Sequence, residues 1–124
     1  MKVCYVAGPY RAKTEFGILQ NIRKAEALGW KIWKAGAVAI VPHLLSAFHG
    51  GVLSDDPQKD FEGWIAGDME IIRRCDCIVA LDDWPLSEGA KMEVNLCKNK
   101  LGKPVFTEST FAEFLNWLIA DQKR

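Results

Sequence analysis

Four short apolar runs punctuate the chain: Lys2 to Ala7, Ala37 to Val41, Cys77 to Leu81 and Pro104 to Phe106. Each is too short for a buried helix, and the first three stop at breaks: Gly8-Pro9, Pro42-His43 and Asp82-Asp83-Trp84-Pro85. Short continuous apolar runs bounded by such breaks read as buried strands. Between them lie longer stretches of helical periodicity. Residues 15–35 place Ile18, Ile22, Ala25, Gly29 and Ile32 on one face, and Gly36 ends that helix. Gly29 costs helix stability, so close backbone packing is expected there. Residues 59–74 form a second helix with Phe61, Ile65, Asp68 and Ile72 on one stripe, and a third covers 88–101. Thr110, with Glu113 three residues on, reads as a capping box for a last helix that carries Phe111, Phe114, Leu115 and Leu118. The stretch from Leu44 to Gly51 gives no clear element, and Ser54 to Gln58 reads as a loop or lid.

Apolar strands alternating with amphipathic helices predict an α/β fold: a three-layer sandwich around a four- to five-stranded parallel sheet, flavodoxin/Rossmann-like. The 124 residues are read as one domain, 1–124. In open parallel sheets ligands sit beyond the carboxyl ends of the strands. Three segments fall there: Gly8–Arg11, which includes Tyr10, then Pro42-His43, then Asp82–Gly89.

Composition removes several functions. Sixteen acidic residues balance sixteen basic ones, without the basic bias of a general nucleic-acid binder. No apolar run approaches the roughly 20 residues that span a bilayer. Met1-Lys2-Val3 leads straight into a strand, so no signal peptide is expected, and a cytoplasmic location is. Cys4, Cys75, Cys77 and Cys97 lack zinc-type spacing and read as small apolar residues. Neither GxxxxGK[ST] nor GxGxxG occurs, which argues against an NTPase and an NAD enzyme. No cofactor or metal is expected. The expected partner is a small molecule, not a nucleic-acid polymer or a membrane.

The chemistry-bearing run is residues 76–98, a strand, a break and a helix opening at Ser87-Glu88-Gly89-Ala90. Free N–H groups and the dipole at a helix start attract anions. Ser87 and Gly89 can offer a hydroxyl and amides to a phosphate; the structural reading of Ser87 is an ordinary N-cap. Glu93 neighbours Ala90, Val94 and Cys97 on the apolar side of that helix. It reads either as a covered functional carboxylate or as a solvated glutamate. Asp68 interrupts an apolar stripe, so it needs a partner or an elevated pKa. An ion pair with Arg73 or Arg74 is the structural alternative. Two carboxylates reaching one cleft suit glycosidic bond cleavage. Tyr5 reads as a core tyrosine with a tethered hydroxyl. Arg11 can fork onto a phosphate or simply be exposed, and His43 can bond a ligand or simply pack. Four of the five tryptophans fall mostly at helical core spacing; Trp84, on the site loop, is placed to stack on a base.

Tyr5-Val6-Ala7-Gly8-Pro9, Asp68 before the third strand, and Ser87-x-Gly89-x-x-x-Glu93 after it form an ordered set. The set resembles the nucleoside 2-deoxyribosyltransferase-like family, which includes 2′-deoxynucleoside 5′-phosphate N-hydrolases and small uncharacterised members. The resemblance implies a glutamate nucleophile, or oxocarbenium stabiliser, at Glu93. It implies a sugar-holding, proton-transferring aspartate at Asp68 and a glutamate-orienting tyrosine at Tyr5. The transferases carry an aspartate where this chain has Ser87; the nucleotide hydrolases carry a serine. By the same resemblance Arg11 stands at the phosphate-contacting place, and His43 falls near the base pocket. The implied activity is N-glycosidic hydrolysis of a nucleoside 5′-monophosphate. Base exchange by a deoxyribosyltransferase, or nucleotide binding without turnover, are the alternatives. The family also implies a homodimer or higher homo-oligomer.

Overall fold

A computed structural model describes residues 1–123. Its sheet has four strands: β1 (Val3–Ala7), β2 (Val38–Ile40), β3 (Cys77–Ala80) and β4 (Val105–Thr107). They lie in the order β2-β1-β3-β4, all parallel. The register sets Cys4 beside Cys77 and Ala39, and Ile78 beside Val105. Among the described residues the α-helices are α1 (Glu15–Lys34), α2 (Pro42–Leu45), α3 (Pro57–Arg74), α4 (Glu88–Asn95) and α5 (Phe111–Gln122).

Strand side chains alternate between faces, so the central strands feed two cores. Cys4, Val6, Cys77, Val79 and Leu81 join Leu28 and Ile32 of α1 and Phe114 and Leu118 of α5. Tyr5, Ala7, Ile78 and Ala80 join Ile72 of α3 and Val94 of α4. That is the expected three-layer α/β sandwich, flavodoxin-like, with four strands. β1 and β3 are buried on both faces, which is why their sequences are continuous apolar runs instead of alternating ones. Among the described residues no helix is long and apolar enough to cross a membrane.

Local chemistry explains most boundaries. The Thr14 side chain caps α1 by accepting from the Gly17 amide at 3.0 Å, and Gly36 follows the helix at φ +92°, a left-handed turn that glycine adopts without strain. A Cβ on Gly29 would lie 2.7 Å from Val41 Cγ2, so the expected close packing of α1 on the sheet is present. The start of α3 lies at Pro57, two residues before the expected Lys59, because Asp56 caps it and proline suits the first helical position. Lys103 closes the far end, donating to the carbonyls of Arg73 and Cys75, both at 2.7 Å. The helix expected over 88–101 ends as α4 at Asn95 and continues as one π turn, Leu96–Lys100. β4 is Val105–Thr107, one residue later than the run Pro104 to Phe106, since proline has no N–H to give a ladder.

Two sequence expectations fail on packing. The capping box joins Thr107 and Thr110, whose side chains accept from one another's amides at 3.3 and 2.8 Å; Thr110 therefore does not pair with Glu113. Trp30 and Trp33 are 58% and 51% exposed. They lie one residue past Gly29 and Ile32, about 100° round the helix from the buried face.

Candidate functional site

The carboxyl ends of β1, β2 and β3 open on one cleft of about 710 Å³, at the point where the sheet's connections diverge from β1 to β2 and β3. All three expected segments reach it. Gly8, Tyr10 and Arg11 come from the turn after β1, His43 from α2, and Ser87 and Gly89 from the start of α4. Asp68 of α3 and Glu93 of α4 reach it from the same side of the sheet.

Glu93 is the best-buried carboxylate of the cleft, 6% exposed. The Tyr5 hydroxyl, fully buried beneath it, donates to Glu93 Oε2. Tyr5 points there because β1 directs every second side chain toward α3 and α4. Burial pushes the Glu93 carboxyl up to about 8; the Tyr5 bond opposes that rise and the Asp68 charge adds to it. Burial also raises the half-buried Asp68 to about 6, with Tyr5 pulling the other way. Asp68 makes no ion pair among the described residues; Arg73 and Arg74 both turn to Glu70. Tyr5 itself is pushed well above its ordinary value, first by burial and then by Glu93 and Asp68, so it stays a donor. Between about pH 6 and 8 the two carboxyls thus hold one proton between them.

The surrounding residues divide between structure and access. A Cβ on Gly8 would come within 2.4 Å of Leu81, so glycine there lets the β1 turn cross β3 closely. His43 Nε2 bonds the Pro9 carbonyl at 3.0 Å; a carbonyl only accepts, so that nitrogen carries the proton. Burial lowers the His43 pKa, and its neutral ring clamps the β1 turn, which is the packing role. Ser87 Oγ accepts from the Ala90 amide at 3.2 Å, an N-cap as the structural reading has it, while the residue still faces the cleft. Gly89 differs from Gly8. A Cβ there would meet Ile65, Phe61 and Ser87 at 3.6–3.9 Å, ordinary contact, so packing does not demand glycine.

Trp84 is a correction. It packs on the core cluster under α3 and α4 and is not part of the cleft wall. The 3₁₀ turn Trp84–Leu86 turns the indole inward and presents Leu86 and Ser87 instead. Asp82 accepts from the Ser109 amide at 3.0 Å and so ties the loop to the turn after β4.

The sequence reading missed the outer wall. His49 stacks on Trp64 at 4.0 Å and on Tyr10 at 5.2 Å, and Tyr10 Oη accepts from the Phe48 amide. Asp60 pins the same loop by accepting from the amides of Gly51, Leu53 and Ser54 at 2.9–3.3 Å. Those bonds hold its carboxyl below the usual range. Trp64 had a signal, since it precedes Asp68 by one helical turn. His49 had none, because it lies in a loop without periodicity. All four cysteines are free and buried, and burial raises Cys75 to about 11.

A family model described as Domain of unknown function (DUF7768) matches residues 2–107, a span that holds every cleft residue named above. No curated protein matches the chain.

Proposed function

The chain belongs to the DUF7768 family, and from its cleft we propose an N-glycosidase that splits the base–sugar bond of a nucleoside 5′-monophosphate, the 2′-deoxy form first. One observation carries the reading: a buried glutamate, bonded to a buried tyrosine hydroxyl, shares a cleft with a second carboxylate of raised pKa. Two raised carboxyl pKa values, about 6 at Asp68 and about 8 at Glu93, keep one proton within the pair at neutral pH, with Glu93 its stronger holder.

In the proposed reaction Glu93 first gives the shared proton to Asp68 by way of the Tyr5 hydroxyl, which faces both carboxyls, and then, ionised, attacks the anomeric carbon or shields its positive charge. The carbon–nitrogen bond breaks, and its electron pair leaves with the base. Asp68, holding the shared proton, passes it to that base. Water then attacks the same carbon, gives a proton to Asp68 and frees Glu93, which restores the shared proton to the pair. Tyr5 keeps the Glu93 oxygen aimed into the cleft. Ser87, the amides at the start of α4 and Arg11 receive the 5′-phosphate. A serine in place of a carboxylate at position 87 avoids repelling that dianion.

The test is incubation with ribo- and deoxyribonucleotides and their nucleosides, with free base measured by chromatography. We expect base release from monophosphates, and a fall of about 10⁴-fold in Glu93→Gln with the fold intact. Base release undiminished in that variant ends the mechanism. Incorporation of a second supplied base would assign transfer instead of hydrolysis.

A further inference from the structure

Among the described residues that line the cleft, Arg11 is the only arginine or lysine. Among the described residues it joins none of the ion pairs. Its guanidinium lies over the Phe61 ring, 4.6 Å from the centroid. Phe61 comes from α3, and its Cε2 lies 3.8 Å from where a Cβ on Gly89 would stand. The ring thus bridges the turn after β1 and the first turn of α4, and all three residues line the cleft.

We propose that Phe61 is a positioning residue: its ring holds the Arg11 guanidinium beside the start of α4, ready for a phosphate. This rests on the nucleotide reading above. An exposed arginine loses considerable rotamer freedom when a ligand fixes it, and a ring beneath it removes part of that loss beforehand. A carboxylate could also hold Arg11, but it would occupy the N–H fork and neutralise the charge. A π face takes neither: the guanidinium edge and its N–H donors stay free for a bidentate phosphate contact. The preference for monophosphate over nucleoside then depends on an aromatic side chain that touches no phosphate.

The experiment is calorimetric binding of the four common 2′-deoxynucleoside 5′-monophosphates and their nucleosides to the otherwise wild-type chain, Phe61→Leu, Phe61→Tyr, Arg11→Ala and Phe61→Leu/Arg11→Ala, each carrying Glu93→Gln so that the ligand is not consumed. The readout is the ratio of nucleoside to monophosphate dissociation constants. General loosening of the cleft weakens both ligands and leaves that ratio alone. Phe61→Leu should lower it about three- to tenfold, Phe61→Tyr should keep it, and Phe61→Leu should add nothing once Arg11 is alanine. An unchanged ratio in Phe61→Leu, or full additivity with Arg11→Ala, overturns the proposal. A ratio near one in the otherwise wild-type chain overturns it too, together with the phosphate subsite; base release from nucleosides would then still uphold the glycosidase chemistry.

Discussion

Strand β1 sends Cys4 and Val6 to one face of the sheet and Tyr5 and Ala7 to the other, where they meet different company. Toward α1 and α5 the neighbours are hydrocarbon and aromatic: Leu28, Ile32, Phe106 and Phe114. Phe106 and Phe114 meet edge to face at 5.5 Å, and no buried charge intrudes among them. Toward α3 and α4 the apolar cluster gives way, beyond the strand ends, to the Tyr5 hydroxyl, Glu93 and Asp68. One face holds the sheet together. The other gives up stability by keeping carboxyl groups where their charge is poorly solvated. A parallel sheet supports both because its period of two separates them residue by residue.

The largest effect that tests this contrast is on the wet face. Asp68→Asn should lower turnover by about 10²–10⁴-fold. It should also change the pH profile. Wild-type kcat/KM should fall below about pH 6, where both carboxyls are protonated, and above about pH 8, where neither is. Without the Asp68 proton donor, only ionised Glu93 matters, so the alkaline fall should vanish and residual activity should plateau. An unchanged bell in the variant would remove Asp68 from the chemistry.

The next pair sets the faces against each other in stability. Phe114→Ala should cost about 3–5 kcal/mol in urea unfolding, as expected for a cavity in a dry core, at every pH. Glu93→Gln should do the reverse, and only at high pH. A carboxyl raised from 4.5 to about 8 binds its proton more tightly when folded, so its stabilising share is complete below pH 4.5 and is lost as pH rises through about 8. Glutamine escapes that loss. Its advantage over wild type should be absent near pH 4, grow toward pH 8.5 and reach on the order of 4 kcal/mol. A pH-independent difference would mean that Glu93 is no more costly than the apolar face.

The smallest effect concerns Gly89. Alanine fits its surroundings, so Gly89→Ala should raise stability by about 0.5–1 kcal/mol through helix propensity. The same methyl enters the cleft and should weaken nucleotide binding. A variant that binds as well as wild type would show that the start of α4 does not touch the ligand.

Sequence periodicity was enough for the layers. Apolar runs at Val3–Ala7 and Cys77–Ala80 can be satisfied only between two helix layers, and the interrupted stripe at Asp68 marked a carboxylate where a core residue belonged. Spacing also put Ser87, Gly89 and Glu93 on one helix, because neighbours along a helix are fixed by its 3.6-residue turn. Tertiary structure decided what no local rule contains. It brought Tyr5 under Glu93 across 88 residues of chain, turned Trp84 away from the cleft, and folded His49 between Tyr10 and Trp64. Those contacts depend on strand order, on the 3₁₀ turn after β3 and on the amides that Asp60 gathers, and each joins residues that no helical or strand period relates.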